Sequence, residues 1–414
     1  MKKKILLIGY NYSPEPTGIG KYSGEMILWL ANQGYDCTVV TTYPYYPYWK
    51  VQEPYCKRRF WYSKEVTNFN SSGKITVYRC PMYVPSEPSG KKRMLLDVSF
   101  MVAAFFQLVK LLFKKKCHVV ITVVPSFQFG LLGVFYKVFK KSKSVYHIQD
   151  LQIEAAQDLK MISSKQVINL LYKIEKFIFK KTDVITSISE KMVSKIQDKA
   201  NKEVLLFPNW SDTEFFSPLA DKQKLKVKFG FSKTDKIILY SGAIGEKQGL
   251  EAIVYAAEVF KMQKEIKFVI CGTGPYKEKL LNLAENLEIK NLVFFPLQPM
   301  EKFNQFLNIA DVHLVIQKAK ASDLVMPSKL TTILSVGGLA LITANEDSGL
   351  YTLVKKHDMG LLVAAENQKA LNKGIQEALA LRKREQIINN ARSYAESYLE
   401  INNVMKAFEN NILK

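Results

Sequence analysis

The short run Ile5-Leu6-Leu7-Ile8 stops at Gly9, is followed by a loop carrying Gly18 and Gly20, and leads into an apolar-periodic stretch from residue 21 to residue 33 that ends at Gly34. That order is a buried strand, a tight turn and an amphipathic helix, with glycine just past the helix end. A strand so short and so uniformly apolar belongs in a parallel sheet covered by helices. The chain therefore opens as a doubly wound α/β domain does.

The rhythm continues, with strands expected at residues 37–41, 119–124, 144–147 and 183–187. It restarts after Pro208-Asn209-Trp210, with strands expected at residues 237–240, 266–271, 292–295, 312–316 and 339–343. Two Rossmann-like halves follow: an N-terminal domain over residues 1–210 and a C-terminal domain over residues 211–385. A segment of helical pattern, residues 386–414, is placed to pack back on the first domain. At 414 residues and 48% hydrophobic content there is apolar material enough for two cores.

Two segments break the pattern. Residues 43–62, beginning Tyr43-Pro44-Tyr45-Tyr46-Pro47-Tyr48-Trp49, are too rich in proline and tyrosine for a helix or a central strand, so a long surface loop is expected. Its rings either contact an acceptor or a lipid interface or pack over the sheet edge. The second is Lys91-Lys92-Arg93, an apolar stretch over residues 94–113, then Lys114-Lys115-Lys116. Asp97, Gln107 and Lys110 interrupt it, which argues against a membrane span. It reads either as an interfacial helix on anionic lipid or as a helix buried against the sheet with a solvated basic cap.

The net charge of +21 is lopsided. Residues 1–210 carry 32 Lys and Arg against 15 Asp and Glu, a net of +17, whereas residues 211–414 carry 27 against 23, a net of +4. A first half this basic seeks an anionic surface: nucleic acid, acidic lipid or a phosphorylated substrate. Five cysteines, an odd number with no Cys-x-x-Cys pair, suggest neither a disulfide framework nor a zinc site and point to a reducing compartment. The apolar run at residues 5–8 is too short for a signal peptide.

Three stretches carry chemistry. Gly18, Gly20 and Gly24 follow the first strand, where backbone N–H groups approach a phosphate at a helix N-terminus, although their spacing matches neither the dinucleotide fingerprint nor a Walker A loop. Ser241-Gly242-Ala243-Ile244-Gly245-Glu246-Lys247-Gln248-Gly249 sets Lys247 just before a helix expected from about residue 250, adding full charge to the helix's partial one. Pro327-Ser328-Lys329-Leu330 opens another helix, where Ser328 and Lys329 supply a hydroxyl and a charge beside the helix N–H donors. Gly272-Thr273-Gly274-Pro275 is a further post-strand turn. If these stretches face one cleft, they describe a pocket for a diphosphate.

Taken in order, TGIGKY at residues 17–22, SGAIGEKQGLE at 241–251, CGTGP at 271–275 and MPSKLTTILSVGG at 326–338 resemble glycosyltransferase family 4, the retaining enzymes of GT-B fold, over essentially the whole chain. The likeness extends to the subgroup that builds colanic acid, O-antigen and capsule, including L-fucose and N-acetyl-L-fucosamine transferases. It implies two Rossmann-like doubly wound domains facing a cleft. Lys247 and Lys329 would hold the donor diphosphate as catalytic cations, beside Gly18, Gly20, Gly242, Gly272, Gly274 and Ser328. The position of the family's ribose-gripping glutamate is Thr332, and the nearest acid to the other member of that pair is Asp323, one residue out of register. The arginine common upstream of the loop lysine is absent, with Gly242 or Ala243 there. His147, with Asp150 and Glu154, falls where the family puts a His-Asp element toward acceptor or donor sugar.

No Asp-x-Asp motif occurs, so neither a metal nor another cofactor is expected. The resemblance implies a retaining hexosyltransferase that takes a nucleotide sugar and a polyprenyl-diphosphate-linked oligosaccharide. Together with the basic first half it implies a cytoplasmic enzyme, peripheral on the anionic inner face of the plasma membrane; the oligomeric state stays open. The rivals are a sugar-nucleotide epimerase of the same architecture and a nucleic-acid-binding protein, the latter leaving the post-strand turns without a purpose.

Overall fold

The apolar run at residues 5–8 lies in strand β1 (Lys4–Ile8), near the middle of a sheet whose other strands are β2 (Asp36–Thr42), β3 (Ser63–Asn68), β4 (Lys74–Cys80), β5 (Val119–Val124), β6 (Lys143–Ile148), β7 (Val184–Ser187) and β8 (Val204–Leu206). The computed structural model describes residues 3–158, 164–318 and 327–413. The chain divides into two compact units, Met1–Pro208 with Met405–Lys414, and Asn209–Val404.

In the first unit the strand order is β3-β4-β2-β1-β5-β6-β7-β8, parallel except where β3 runs antiparallel to β4. Every residue of β5 is buried, and β1 is buried beyond its first residue, as a strand covered on both faces requires. Its helices are α1 (Gly18–Asn32), α2 (Gly90–Leu112), α3 (Gly130–Lys140), α4 (Gln152–Asp158), α5 (Lys165–Lys181) and α6 (Glu190–Ala200). The hydroxyls of Ser89, Ser164 and Ser189 accept from the first-turn N–H groups of α2, α5 and α6. Strands β3 and β4 come from sequence that alternates polar and apolar residues, without the aliphatic runs that mark the central strands.

The second unit holds β9 (Lys236–Ser241), β10 (Ile266–Cys271), β11 (Leu292–Phe295), β12 (Val312–Val315), β13 (Ala340–Thr343) and β14 (Leu361–Val363), in the all-parallel order β11-β10-β9-β12-β13-β14. Helices α7 (Lys222–Lys228), α8 (Glu251–Val259), α9 (Lys277–Asn286), α10 (Met300–Asn308), α11 (Ser328–Ser335), α12 (Gly349–His357), α13 (Gln368–Ala380) and α14 (Arg384–Tyr394) follow in sequence, then α15 (Ile401–Phe408). Both sheets have the architecture read from the sequence, two Rossmann-like α/β domains.

The terminal segment divides its allegiance. Ala391, Ala395 and Leu399 lie in a core of the second unit, and the Arg392 guanidinium donates to the carbonyls of Thr213 and Phe216. Beyond Val404 the chain belongs to the first unit. There Phe408 stacks on Phe207 with centroids 4.3 Å apart, and Tyr35 Oη donates to Glu409 Oε1 at 2.6 Å.

The tyrosine-rich loop is more interior than its composition suggests. Tyr43 and Tyr45 are buried with Val51 and Leu96, while Phe60 and Trp61 stay exposed. Tyr43 Oη donates to the Trp61 carbonyl, which fastens the buried half of the loop to the exposed half.

Candidate functional site

In the second sheet, β9 pairs with β10 on one side and β12 on the other, so the connections after β9 and β12 run in opposite directions. That divergence opens a crevice at the carboxyl ends of the strands, where ligands of open α/β sheets bind. Both lysine-bearing stretches of this half adjoin it, one after β9 and one opening α11.

The loop after β9 is zipped to the loop after β10. Gly242 N–H donates to the Cys271 carbonyl and Ile244 N–H to the Thr273 carbonyl, each at 2.9 Å. A Cβ at Gly272 would lie 1.9 Å from the Gly242 carbonyl oxygen, and one at Gly274 would lie 2.1 Å from that of Ile244. These two glycines are thus required by backbone packing, whatever else they face.

Helix α11 starts on Pro327, which offers no side-chain acceptor, and its first turn contains no acid, so its N–H donors and partial positive charge point outward. Ser328 is exposed there. Lys329 turns back so that its ammonium sits 3.7 Å from the centroid of the Tyr240 ring and 2.9 Å from where a Cβ at Gly242 would be. Tyr240 Oη donates to the Ala243 carbonyl at 2.7 Å, which holds the ring in place.

Part of Lys329 remains exposed, but its ammonium is packed between ring and glycine, and burial pushes its pKa down to about 7. Among the described residues no carboxylate pairs with it. The ring's electron-rich face is its electrostatic partner, worth on the order of 1–2 kcal/mol, less than a buried cation needs. An anion brought to this crevice would supply the rest.

Beside the crevice a cavity of about 280 Å³ is lined by Gln248, Gly249, Ile316, Gln317, Thr343 and Asn367, among others. Gln248 Oε1 and Gln317 Nε2 are buried with no hydrogen-bond partner among the described residues. One accepts and the other donates, the combination that a ligand hydroxyl satisfies. Thr332, standing where the family's second glutamate would be, donates its hydroxyl to the Lys329 carbonyl at 2.9 Å. Lys247 lies in the one-turn 3-10 helix Glu246–Gln248; its side chain lies outside the described residues, as does all of Asp323.

The first unit treats its glycine loop differently. Gly18 has φ +61 and Gly20 sits in the first turn of α1, so the helix starts within the glycine stretch. Behind them the Glu15 carboxyl is buried. Its Oε1 accepts from the Tyr45 and Tyr46 N–H groups at 3.1 and 3.0 Å, and its Oε2 from Asn11 Nδ2 at 2.8 Å. A Cβ at Gly20 would fall 2.4 Å from that Oε2. Burial raises the Glu15 pKa to about 7 in spite of these donors. Gly20 is therefore needed to admit the carboxylate that pins the tyrosine-rich loop.

His147, at the end of β6, is buried with both ring nitrogens engaged. Nδ1 lies 2.9 Å from Thr186 Oγ1 and Nε2 lies 3.1 Å from Gln149 Nε2. An amide NH2 only donates, so Nε2 accepts and the proton sits on Nδ1. Burial pushes this histidine's pKa down to about 3. As placed, its ring positions Gln149 and is not itself presented as a base. Asp150 is half-buried just after the strand. Glu154, on α4, pairs with Lys199 Nζ at 2.5 Å, and that lysine also holds the buried Glu175 at 2.9 Å.

Of the residues singled out from sequence, the structure brings Gly242, Ser328, Lys329 and Thr332 to one crevice of the second unit. It places Gly18, Gly20, His147, Asp150 and Glu154 in the first. Tyr240, Gln248, Gln317 and Glu15 join them as residues that the sequence did not single out. Only Glu15 left a trace, an acid within a glycine-bearing loop.

The family pattern described as "Glycosyl transferases group 1" matches residues 221–394, and "Glycosyl transferase 4-like domain" matches residues 17–210. The chain is 40% identical over 417 residues to a protein named for colanic acid biosynthesis, the glycosyl transferase WcaI of Escherichia coli (strain K12), with 99% of each chain covered. Among solved structures it resembles sucrose-phosphate synthase from Thermosynechococcus elongatus at a TM-score of 0.77, with 16% identity over 99% of this chain and 98% of that one. It also resembles Anabaena HepE in complex with UDP and glucose at a TM-score of 0.70, with 11% identity and complete coverage of both chains. At such identities the structural likeness speaks for the fold.

Proposed function

Because this chain belongs to the group 1 glycosyl transferases, we propose that its second unit binds a nucleotide-diphosphate sugar with the diphosphate against Lys329, Lys247 and the first turn of α11. One observation carries this reading: the Lys329 ammonium rests on the Tyr240 ring beside Gly242, at the switch point of the sheet, with no acid paired to it among the described residues. The amides of Gln248 and Gln317 meet ligand hydroxyls. Asp323 and Thr332 take the places of the family's acidic pair, and His147 acts on the sugar or acceptor through Gln149, with Asp150 and Glu154 nearby.

The reaction is transfer with retention of anomeric configuration. The bond from sugar C1 to the diphosphate oxygen breaks, the acceptor oxygen bonds to C1 on the same face, and the acceptor's proton passes to the departing phosphate oxygen. Negative charge grows on that oxygen, and preorganised cations and helix N–H groups stabilise it more in the transition state than in the ground state. No metal is required for this. The acceptor is a polyprenyl-diphosphate-linked oligosaccharide at the cytoplasmic face of the plasma membrane. The sugar is L-fucose, N-acetyl-L-fucosamine or a related hexose, and the product enters an exopolysaccharide of the colanic acid class, as the name of the E. coli relative suggests.

The test is turnover of a panel of UDP- and GDP-sugars with lipid-linked acceptor, with and without a chelator, and NMR assignment of the product anomer. Chelator-insensitive transfer with retention is expected. Inversion, or strict dependence on a divalent ion, would overturn the mechanism. An altered sugar released without acceptor would favour the epimerase.

A further inference from the structure

Helix α2 is apolar on both faces: Leu96, Phe100, Ala104 and Leu108 are buried against the first unit, yet the side turned to solvent is apolar too. Its inward face includes Asp97 and Gln107, each 5% exposed, and Asp97 Oδ2 accepts from Ser126 Oγ at 2.6 Å. Its outward face is apolar: Met94, Leu95, Val98, Val102, Phe105 and Phe106 are between 40% and 64% exposed. A surface helix of a globular protein carries polar and charged residues on its outward face.

The patch extends onto α3. Phe105 packs on Phe135 and Phe135 on Phe139, each pair with centroids 4.9 Å apart, and Val138 and Phe139 are themselves more than 60% exposed. A shallow apolar hollow of about 290 Å³ lies between Val98, Val102, Phe106 and Leu132. Contiguous exposed apolar surface of this kind marks an interaction site.

Its rim says with what. Lys91, Lys92 and Arg93 stand exposed at one end of α2, and Lys114, Lys115 and Lys116 at the other, while Lys140 and Lys141 close α3. The only acid within α2 or α3 is Asp97, and it faces inward. Apolar side chains at the centre with cations at both ends match an anionic bilayer, whose acyl region takes the first and whose headgroups take the second.

We propose that the outward face of α2 and α3 is a lipid-docking surface that seats the first unit on an anionic membrane leaflet, α2 lying along the interface. The inference deepens the reading of a lipid-linked acceptor, because an acceptor anchored in the same leaflet is met in two dimensions. Docking itself needs neither donor nor acceptor.

The experiment is co-sedimentation of the full chain with phosphatidylcholine vesicles, with and without phosphatidylglycerol. Binding to the anionic vesicles, weakened by salt, is expected. The double variant Lys115→Ala, Lys116→Ala should lower partitioning by about thirtyfold, at roughly fivefold per cation. Val102→Asp with Phe106→Asp should abolish it while leaving the thermal denaturation profile intact, since both side chains point outward. Failure of the native chain to bind anionic vesicles, or undiminished binding by the Asp variant, overturns the proposal. So does a dimer in sedimentation velocity that the Asp variant dissociates, because the face would then belong to a second copy. Turnover of a water-soluble acceptor analogue separates the two readings: transfer without docking sinks only the surface, and docking without transfer sinks only the glycosyltransferase mechanism.

Discussion

The glycine loop after β1 and the glycine loop after β9 look alike in sequence and bury opposite charges. The first encloses the Glu15 carboxylate and gives it three N–H donors from Asn11, Tyr45 and Tyr46. The second receives the Lys329 ammonium and offers it the face of Tyr240. The carboxyl has hydrogen-bond donors in its own loop and in the tyrosine-rich loop and fixes the latter, although burial still raises its pKa to about 7. The ammonium is only partly compensated, so an anionic ligand gains from completing it. Glycine after a strand is therefore no evidence of a phosphate site until the charge it admits, and the partners of that charge, are known.

The largest effect should come from removing the incompletely compensated charge. Lys329→Met keeps the packing on Tyr240 and deletes the cation, so turnover should fall by about a hundredfold to a thousandfold, roughly 3–4 kcal/mol. Stability should hold or improve, because a desolvated cation has gone. Steady-state kinetics with thermal denaturation checks both. Near-normal turnover would make the two loops equivalent scaffolds and remove the contrast.

Removing the hydrogen-bonded carboxyl should act on stability instead. Glu15→Ala strands three donors in a buried setting and should cost about 3 kcal/mol in urea denaturation. Glu15→Gln keeps an oxygen for the Tyr45 and Tyr46 N–H groups and turns an NH2 toward Asn11, so about 1 kcal/mol is expected. If Glu15→Gln also lost donor affinity as measured by calorimetry while remaining folded, Glu15 would be reassigned from scaffold to ligand contact.

How much of this was legible in sequence follows from which forces are local. Ten strands announced themselves as apolar runs, whereas β3, β4, β8 and β14 did not: Lys74–Cys80 alternates, Ser63–Asn68 pairs on one side only and is largely exposed, and Val204–Leu206 and Leu361–Val363 are three residues each. The anion-seeking character of Pro327-Ser328-Lys329 was readable, being a property of one helix start. The seat of Lys329 on Tyr240 was not, since the partners are far apart in sequence and meet through the β9–β12 pairing. In sequence alone His147 reads as facing a ligand. Its enclosure depends on the β6–β7 register, which sets it opposite Thr186.

Acidity sharpens the comparison with a smaller effect. The Glu15 carboxyl holds its proton up to about pH 7 in the folded chain against an ordinary 4.5, so between those values the folded state binds more protons and stability falls as pH rises. Lys329 gives up its proton near pH 7 when folded against an ordinary 10.5, so between those values the unfolded chain binds more protons and stability rises with pH. The two contributions slope in opposite directions on either side of neutrality. Denaturation midpoints across that range should lose the lower limb in Glu15→Gln and the upper limb in Lys329→Met. Either variant that leaves the native profile unchanged breaks its half of the contrast.

The smallest expected effect is none, and it tests whether His147 titrates. With its pKa pushed down to about 3 by burial, His147 stays neutral throughout the range in which an ordinary imidazole changes charge. Its Cε1 proton resonance should not move between about pH 5 and pH 8. Thr186→Val removes the hydrogen-bond acceptor of Nδ1–H and should free the ring to turn. A titration appearing in that variant and absent from the native chain would tie the neutrality of His147 to its partner on β7. A native resonance that titrates near neutrality would instead return His147 to the role of proton-transfer group.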